Sequence, residues 1–184
     1  MPPDRPSEPW FSFLDDLDAL IPEPVDLHCL GGFIVSQHYG LNRETVDLDV
    51  ITGIPVNVRE CVLHAAGKGS ELQRKHGVYI DQVWVAAYPD SYADRLVRAF
   101  PIWEKVRLWA LEPHDLALTK LERTNARDIR DVVYLAKSGL INKETLLHRW
   151  HTELEPYLTG PTPTWHQTTL NMWIDACWPD SPES

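Results

Sequence analysis

Apolar residues recur at helical spacing through WFSFLDDLDALIP and stop at Ile21-Pro22, so a short first helix is expected there. Val25-Asp26-Leu27-His28-Cys29-Leu30 follows as a short strand. Gly31-Gly32 break it, and FIVSQHYG predicts one or two helical turns closing at Gly40. From Thr45 to Ile51 the chain alternates strictly. Val46, Leu48 and Val50 point one way, and Thr45, Asp47, Asp49 and Ile51 point the other. VNVRECVLHAAG and SELQRKHG read as helical pieces separated by Gly67-Lys68-Gly69. The run from Val78 to Ala86 and the run from Val106 to Leu111 are rich in β-formers.

After Pro113 the periodicity becomes helical. DLALTKLERTNARDIRDVVYLAKSG predicts helix, broken near Thr124-Asn125 and closed at Gly139. NKETLLHRWHTELEPYL starts a helix at Asn142, with an apolar stripe through Leu146, Leu147, Trp150 and Leu154. LNMWIDACW predicts a last short helix, and DSPES is expected to fray. The proline- and charge-rich residues 1–9 read as a flexible lead-in. The pattern predicts an α/β (α+β) fold: a small mixed-sheet core over residues 10–112, and a C-terminal helical region over 113–178 packed on it as one unit.

Composition narrows the class. The chain has 184 residues, 43% of them hydrophobic, which suits a globular protein with one solid core. No apolar run is long enough to span a membrane and the N-terminus does not resemble a signal peptide, so a cytoplasmic protein is expected. Cys29, Cys61 and Cys177 are odd in number and far apart, which predicts reduced thiols. The formal charge is −10, with a sequence pI of about 5.2, so there is no chain-wide basic footprint for nucleic acid. Basic residues do crowd locally, at Arg95, Arg98, Lys105 and Arg107, and again at Lys120, Arg123, Arg127 and Arg130.

The chemistry concentrates at Asp47 and Asp49. Carboxylates two apart on a strand project from one face with Cβ atoms roughly 6–7 Å apart. Like charges that close are costly unless a cation joins them, and oxygen-only ligands suit magnesium bridging to phosphate. Upstream, Gly31-Gly32 remove the Cβ from a backbone that could approach a phosphate, and fourteen residues separate Gly32 from Asp47. His148 and His151 are three apart on a helix, a spacing that can hold a metal, but no third ligand stands near them in sequence, so a surface or partly buried role is expected.

LGGFIVSQHYGLNRETVDLDVI resembles the signature of the nucleotidyltransferase superfamily: a glycine pair, a short helix, then Asp-x-Asp on the second strand. Arg43 through Asp49 is most similar to the bacterial minimal group that includes abortive-infection (AbiE-type) toxins. DLALTKLERTNARDIRDVVYLAKSG resembles that group's lysine-bearing helix followed by an Arg-Asp-x-x-Asp helix. The resemblance runs from about Asp26 to Trp178 and is closest to an uncharacterised domain-of-unknown-function group.

The resemblance implies an Mg²⁺-dependent nucleotidyltransferase. Gly31 and Gly32 would hold the triphosphate, with Arg43, Thr45 and Arg127 among the nucleotide-binding residues. Asp47 and Asp49 would ligate one or two Mg²⁺ ions in an in-line displacement. Lys120 would neutralise phosphate charge, and Asp128 or Asp131 would complete the polar site or fix the lysine. Family members carry a third metal carboxylate on a later strand, and Asp81 is the match for it. An NTP is the implied substrate; RNA (a tRNA end), a protein side chain or a small molecule is the acceptor. The implied context is a toxin or phage-defence component with a cognate antitoxin or operon partner. Two alternatives stand beside it: a nucleotidyltransferase-like nucleotide-binding subunit without turnover, and a metal-dependent phosphohydrolase using the same carboxylates.

Overall fold

A five-stranded mixed sheet, in the order β3-β2-β1-β5-β4, forms the centre of the first of two units. The computed structural model describes residues 3–51, 56–83, 87–123 and 125–179. Contacts divide the chain into residues 1–85 with 96–111, and residues 86–95 with 112–184.

In the first unit, α1 (Trp10–Leu20) leads to β1 (Val25–Leu30). Then comes α2 (Gly31–Phe33), which widens into a π-helical turn over Ile34–His38. β2 (Asp47–Ile51), α3 (Val56–Ala66), α4 (Glu71–His76), β3 (Tyr79–Val83), β4 (Val97–Ala99) and β5 (Val106–Ala110) complete it. β1 is antiparallel to β2 and parallel to β5, β2 is parallel to β3, and β4 is antiparallel to β5. Alternation sorts the two faces. Val25, Leu27, Cys29, Leu48, Val50, Ile80, Val106, Leu108 and Ala110 are buried, and α1 and α3 pack against β5 and β3. The opposite face carries Asp26, His28, Asp47, Asp49, Tyr79, Asp81, Arg98, Arg107 and Trp109, placed together by register.

The second unit contains α5 (Pro113–Leu118), α6 (Ala126–Lys137), α7 (Lys143–Arg149) and α8 (Thr162–Cys177). Asn125 caps α6, its side chain accepting from the backbone N–H of Arg127 and of Asp128; Asn142 caps α7 through the N–H of Thr145. Fully buried Asp115 is clamped between two guanidinium groups. Arg95 donates to it at 2.8 and 3.0 Å, and Arg149 at 2.8 Å.

Several expectations are corrected. The lead-in is packed rather than free: Pro6 is buried, and the Ser7 N–H donates to Gln37 Oε1 at 2.8 Å. β2 starts at Asp47, leaving Val46 56% exposed, and Ile51 is buried. β4 is a strand that the pattern did not reveal. The helix after Pro113 breaks over a longer stretch, from Thr119 to Asn125, and the last helix starts at Thr162, so it has 16 residues. Proline at 161 and 163 is tolerated there because the first turn has no N–H to lose. The end of the β-rich run, 84–86, Thr124, and the DSPES tail lie outside the described residues. Among the described residues no helix is long and apolar enough to cross a membrane.

Candidate functional site

The chain leaves β1 at Gly31, whose φ of +72° is left-handed, a conformation a side chain would strain. The space above it is already taken. A Cβ on Gly31 would collide with the Asp49 carboxylate, standing 2.9 Å from Cγ, and the register that pairs Leu30 with Asp49 explains the approach. A Cβ on Gly32 would collide with the Arg43 guanidinium and stand 3.3 Å from Thr45 Oγ1. The glycine pair therefore seats two charged side chains of opposite sign, Asp49 and Arg43, directly on backbone.

Asp47 and Asp49 share the polar face of β2, as their spacing requires. Thr45 Oγ1 donates to Asp47 Oδ1 at 2.7 Å and so fixes its carboxylate. Asp81 on β3 is the register partner of Asp49, which puts it on the same face one strand away, exposed. Tyr79, the register partner of Asp47, stands among all three. Burial first, then the charges of Asp47, Asp81 and Asp49, push its phenol above the usual value. Sequence reasoning missed Tyr79; the signal that would have found it is the parallel pairing of two alternating strands.

An 830 Å³ cleft adjoins this corner, lined in part by Arg5, Glu8, Gln37, Arg43, Thr45 and His76. Arg43 and Thr45 thus border both the cleft and Gly32.

The donor set matches a hard divalent cation in chemistry, being all oxygen. Among the described residues no three His, Cys, Asp or Glu side chains lie close enough to hold one ion together. Asp47 and Asp49 would supply one or two oxygens, leaving the other positions to phosphate and water, the usual magnesium arrangement.

The remaining predicted residues lie in the second unit. Lys120 is buried in the turn after α5, its Nζ donating to Asp128 Oδ1 at 2.9 Å and Asp131 Oδ2 at 2.8 Å. Both carboxylates face inward from α6, and Asn125 Nδ2 also donates to Asp128. Arg127 is exposed on α6. His148 is exposed, and His151 pairs with Glu155 at 2.9 Å. The three cysteines are free thiols, and burial raises the pKa of Cys29.

A mixed sheet whose first strand runs through a glycine pair into a short helix, with Asp-x-Asp on the adjacent strand, defines a nucleotidyltransferase-type core. The chain belongs to the family "nucleotidyltransferase of unknown function (DUF6036)", which it matches over residues 13–171. No curated protein and no solved structure matches it.

Proposed function

We propose that this protein transfers a nucleotidyl group from an NTP to an acceptor with the help of Mg²⁺, releasing pyrophosphate. The observation that carries this reading is the meeting of Asp47 and Asp49 on one strand face with Gly31, Gly32 and Arg43. In it, Arg43 and the glycine backbone hold the phosphates, and the cleft beside Arg43 receives the rest of the nucleotide. Asp47, oriented by Thr45, and Asp49 are the ligands for the ion, with Asp81 as a third carboxylate on the same face. The ion, when bound, neutralises phosphate charge and lowers the pKa of an attacking hydroxyl. Lys120, fixed by Asp128 and Asp131, is assigned to phosphate charge on the strength of the family resemblance. The acceptor is RNA, a protein side chain or a small molecule, and a toxin or phage-defence role with an antitoxin partner is the context that fits.

A second reading is nucleotide binding without turnover. It is favoured by the engagement of both carboxylates within the protein, Asp47 by Thr45 and Asp49 against Gly31.

The test is incubation with each labelled NTP, Mg²⁺ and total RNA or protein, comparing wild type with Asp47→Asn and Asp49→Asn. Label transfer abolished by both variants supports the transferase. Calorimetric NTP–Mg²⁺ binding without product supports the second reading, and free phosphate without an acceptor indicates a hydrolase. No binding and no product would sink both leading readings.

A further inference from the structure

Helix α6 turns both its carboxylates inward, Asp128 and Asp131 to Lys120, and what remains towards solvent is basic. Arg127, Arg130 and Lys137 are all exposed, and their three- and seven-residue spacing puts them on one side of the helix. Arg123, in the turn just ahead, extends the row; its side chain is 65% exposed and comes no closer than 3.9 Å to Asp128. From Arg127 to Lys137 the row covers about 15 Å at the helical rise, enough for two or three consecutive phosphates. Local stability explains Lys137, in the last turn, but not Arg127 and Arg130. Arg127 in the first turn opposes the helix dipole, and Arg127 and Arg130 are like charges one turn apart. In a chain of net charge −10 such a cluster is a local exception.

Next to Arg123, Glu122 lines a 280 Å³ pocket with Pro161, Thr162, Trp165 and His166 at the start of α8. Trp165 is 56% exposed there, whereas His166 is buried and its Nδ1 has no hydrogen-bond partner. An accessible indole in a pocket shared with Glu122, the chain neighbour of Arg123, offers a base a stacking surface.

We propose that the helical unit binds RNA, with phosphates on Arg123, Arg127, Arg130 and Lys137 and a base stacked on Trp165. Guanidinium forks match phosphate oxygens two at a time. An acidic peptide would satisfy the cations but has no base for the indole. The proposal builds on the nucleotidyl-transfer reading only in choosing RNA among its acceptors, since the binding itself needs neither NTP nor metal.

The experiment is fluorescence anisotropy of the full chain with a labelled single-stranded RNA of about 20 nucleotides, without NTP or Mg²⁺, across a salt series. A poly-glutamate peptide is the competitor. Log affinity is expected to fall with log salt at about −0.7 per phosphate contact, so two to four contacts give a slope of about −1.5 to −3. Arg127→Gln and Arg130→Gln should each reduce that slope by about 0.7. Trp165→Ala should weaken binding about 5- to 150-fold with the slope unchanged. All three positions are exposed, and circular dichroism confirms that each variant is folded. Absence of RNA binding, wild-type slopes in both arginine variants, or equal displacement by poly-glutamate would overturn the proposal. RNA binding that persists when no nucleotidyl transfer is found upholds it and locates the failure in the catalytic reading.

Discussion

The carboxylate of Asp49 rests on Gly31, so closely that no side chain fits between them, while Arg43 sits in the same way on Gly32. The two contacts differ in how they can yield. Asp49 is short and anchored on β2, and Gly31 is also held at positive φ; Arg43 is a long side chain whose tip can swing away. Gly31→Ala should therefore cost about 1–2 kcal/mol from backbone conformation alone, before any clash. That lowers the melting temperature by about 2–8 °C. Gly32→Ala should melt near wild type yet bind NTP–Mg²⁺ more weakly, because Arg43 is displaced. Thermal melts and calorimetry on the pair check this; equal melting of the two variants would contradict it.

Lys120 lies between two buried carboxylates, so its removal takes the ammonium from both. Breaking a buried ion pair from one side costs about 3–5 kcal/mol. Lys120→Met should accordingly lower the melting temperature by about 6–20 °C. Lys120→Met combined with Asp128→Asn and Asp131→Asn should recover much of the loss. If the triple variant regains stability but fails to bind NTP, Lys120 serves phosphate as well as the fold; if it binds like wild type, Lys120 is a structural clamp alone.

Glu112 predicts acid sensitivity with a definite sign. Burial alone would raise its pKa, but hydrogen bonds and charge from His114 and Arg149 outweigh this and lower it to about 2, from an ordinary 4.5. A carboxylate depressed in the folded state contributes stability above its unfolded pKa and loses it as pH falls through the folded value. The window is therefore pH 4.5 down to about 2, and the contribution is on the order of 3 kcal/mol. Urea unfolding at pH 7 and pH 3 should show Glu112→Gln much less stable than wild type at pH 7 and closer to it at pH 3.

His38 should act in a higher pH range. Its ring is buried edge-on against Phe100 and Tyr39, and neither nitrogen has a hydrogen-bond partner. Burial holds its pKa below the ordinary 6.5. The stability that rests on a neutral ring is thus present above pH 6.5 and lost progressively below it. His38→Leu should flatten the fall in melting temperature between pH 7.5 and pH 5 and leave neutral-pH stability equal or higher, since an unsatisfied buried polar group has gone. An unchanged pH profile would count against this account.

Much of the fold could be read from local pattern. Val25–Leu30 appears as a strand because alternate residues are apolar, and α6 and α7 begin at Asn125 and Asn142 because those side chains take orphan N–H groups. β4 escaped because three residues carry too little periodicity. The first half of α8 escaped because Pro161 and Pro163 read as loop, although a first helical turn accepts them. Residues 3–9 look solvated by composition, and only the long-range bond from Ser7 to Gln37 shows otherwise. At the candidate site, the shared face of Asp47 and Asp49 follows from spacing alone. The seating of Asp49 on Gly31, the place of Tyr79 and the enclosure of Lys120 depend on strand register or on contacts across a turn, which a linear pattern does not encode.

The chain's route has a practical corollary for dissecting this protein. Residues 86–95 belong with the helices although 96–111 return to the sheet, so severing the chain near 112, where the texture changes, strands Arg95 on the wrong fragment. A helical piece starting there would keep Asp115 and Glu153 yet lack the guanidinium that joins them, leaving Arg149 alone to balance an acid with no access to water. Separately expressed halves should aggregate or fail to fold, whereas co-expression, or a circular permutant opened elsewhere, should retain the native ion network.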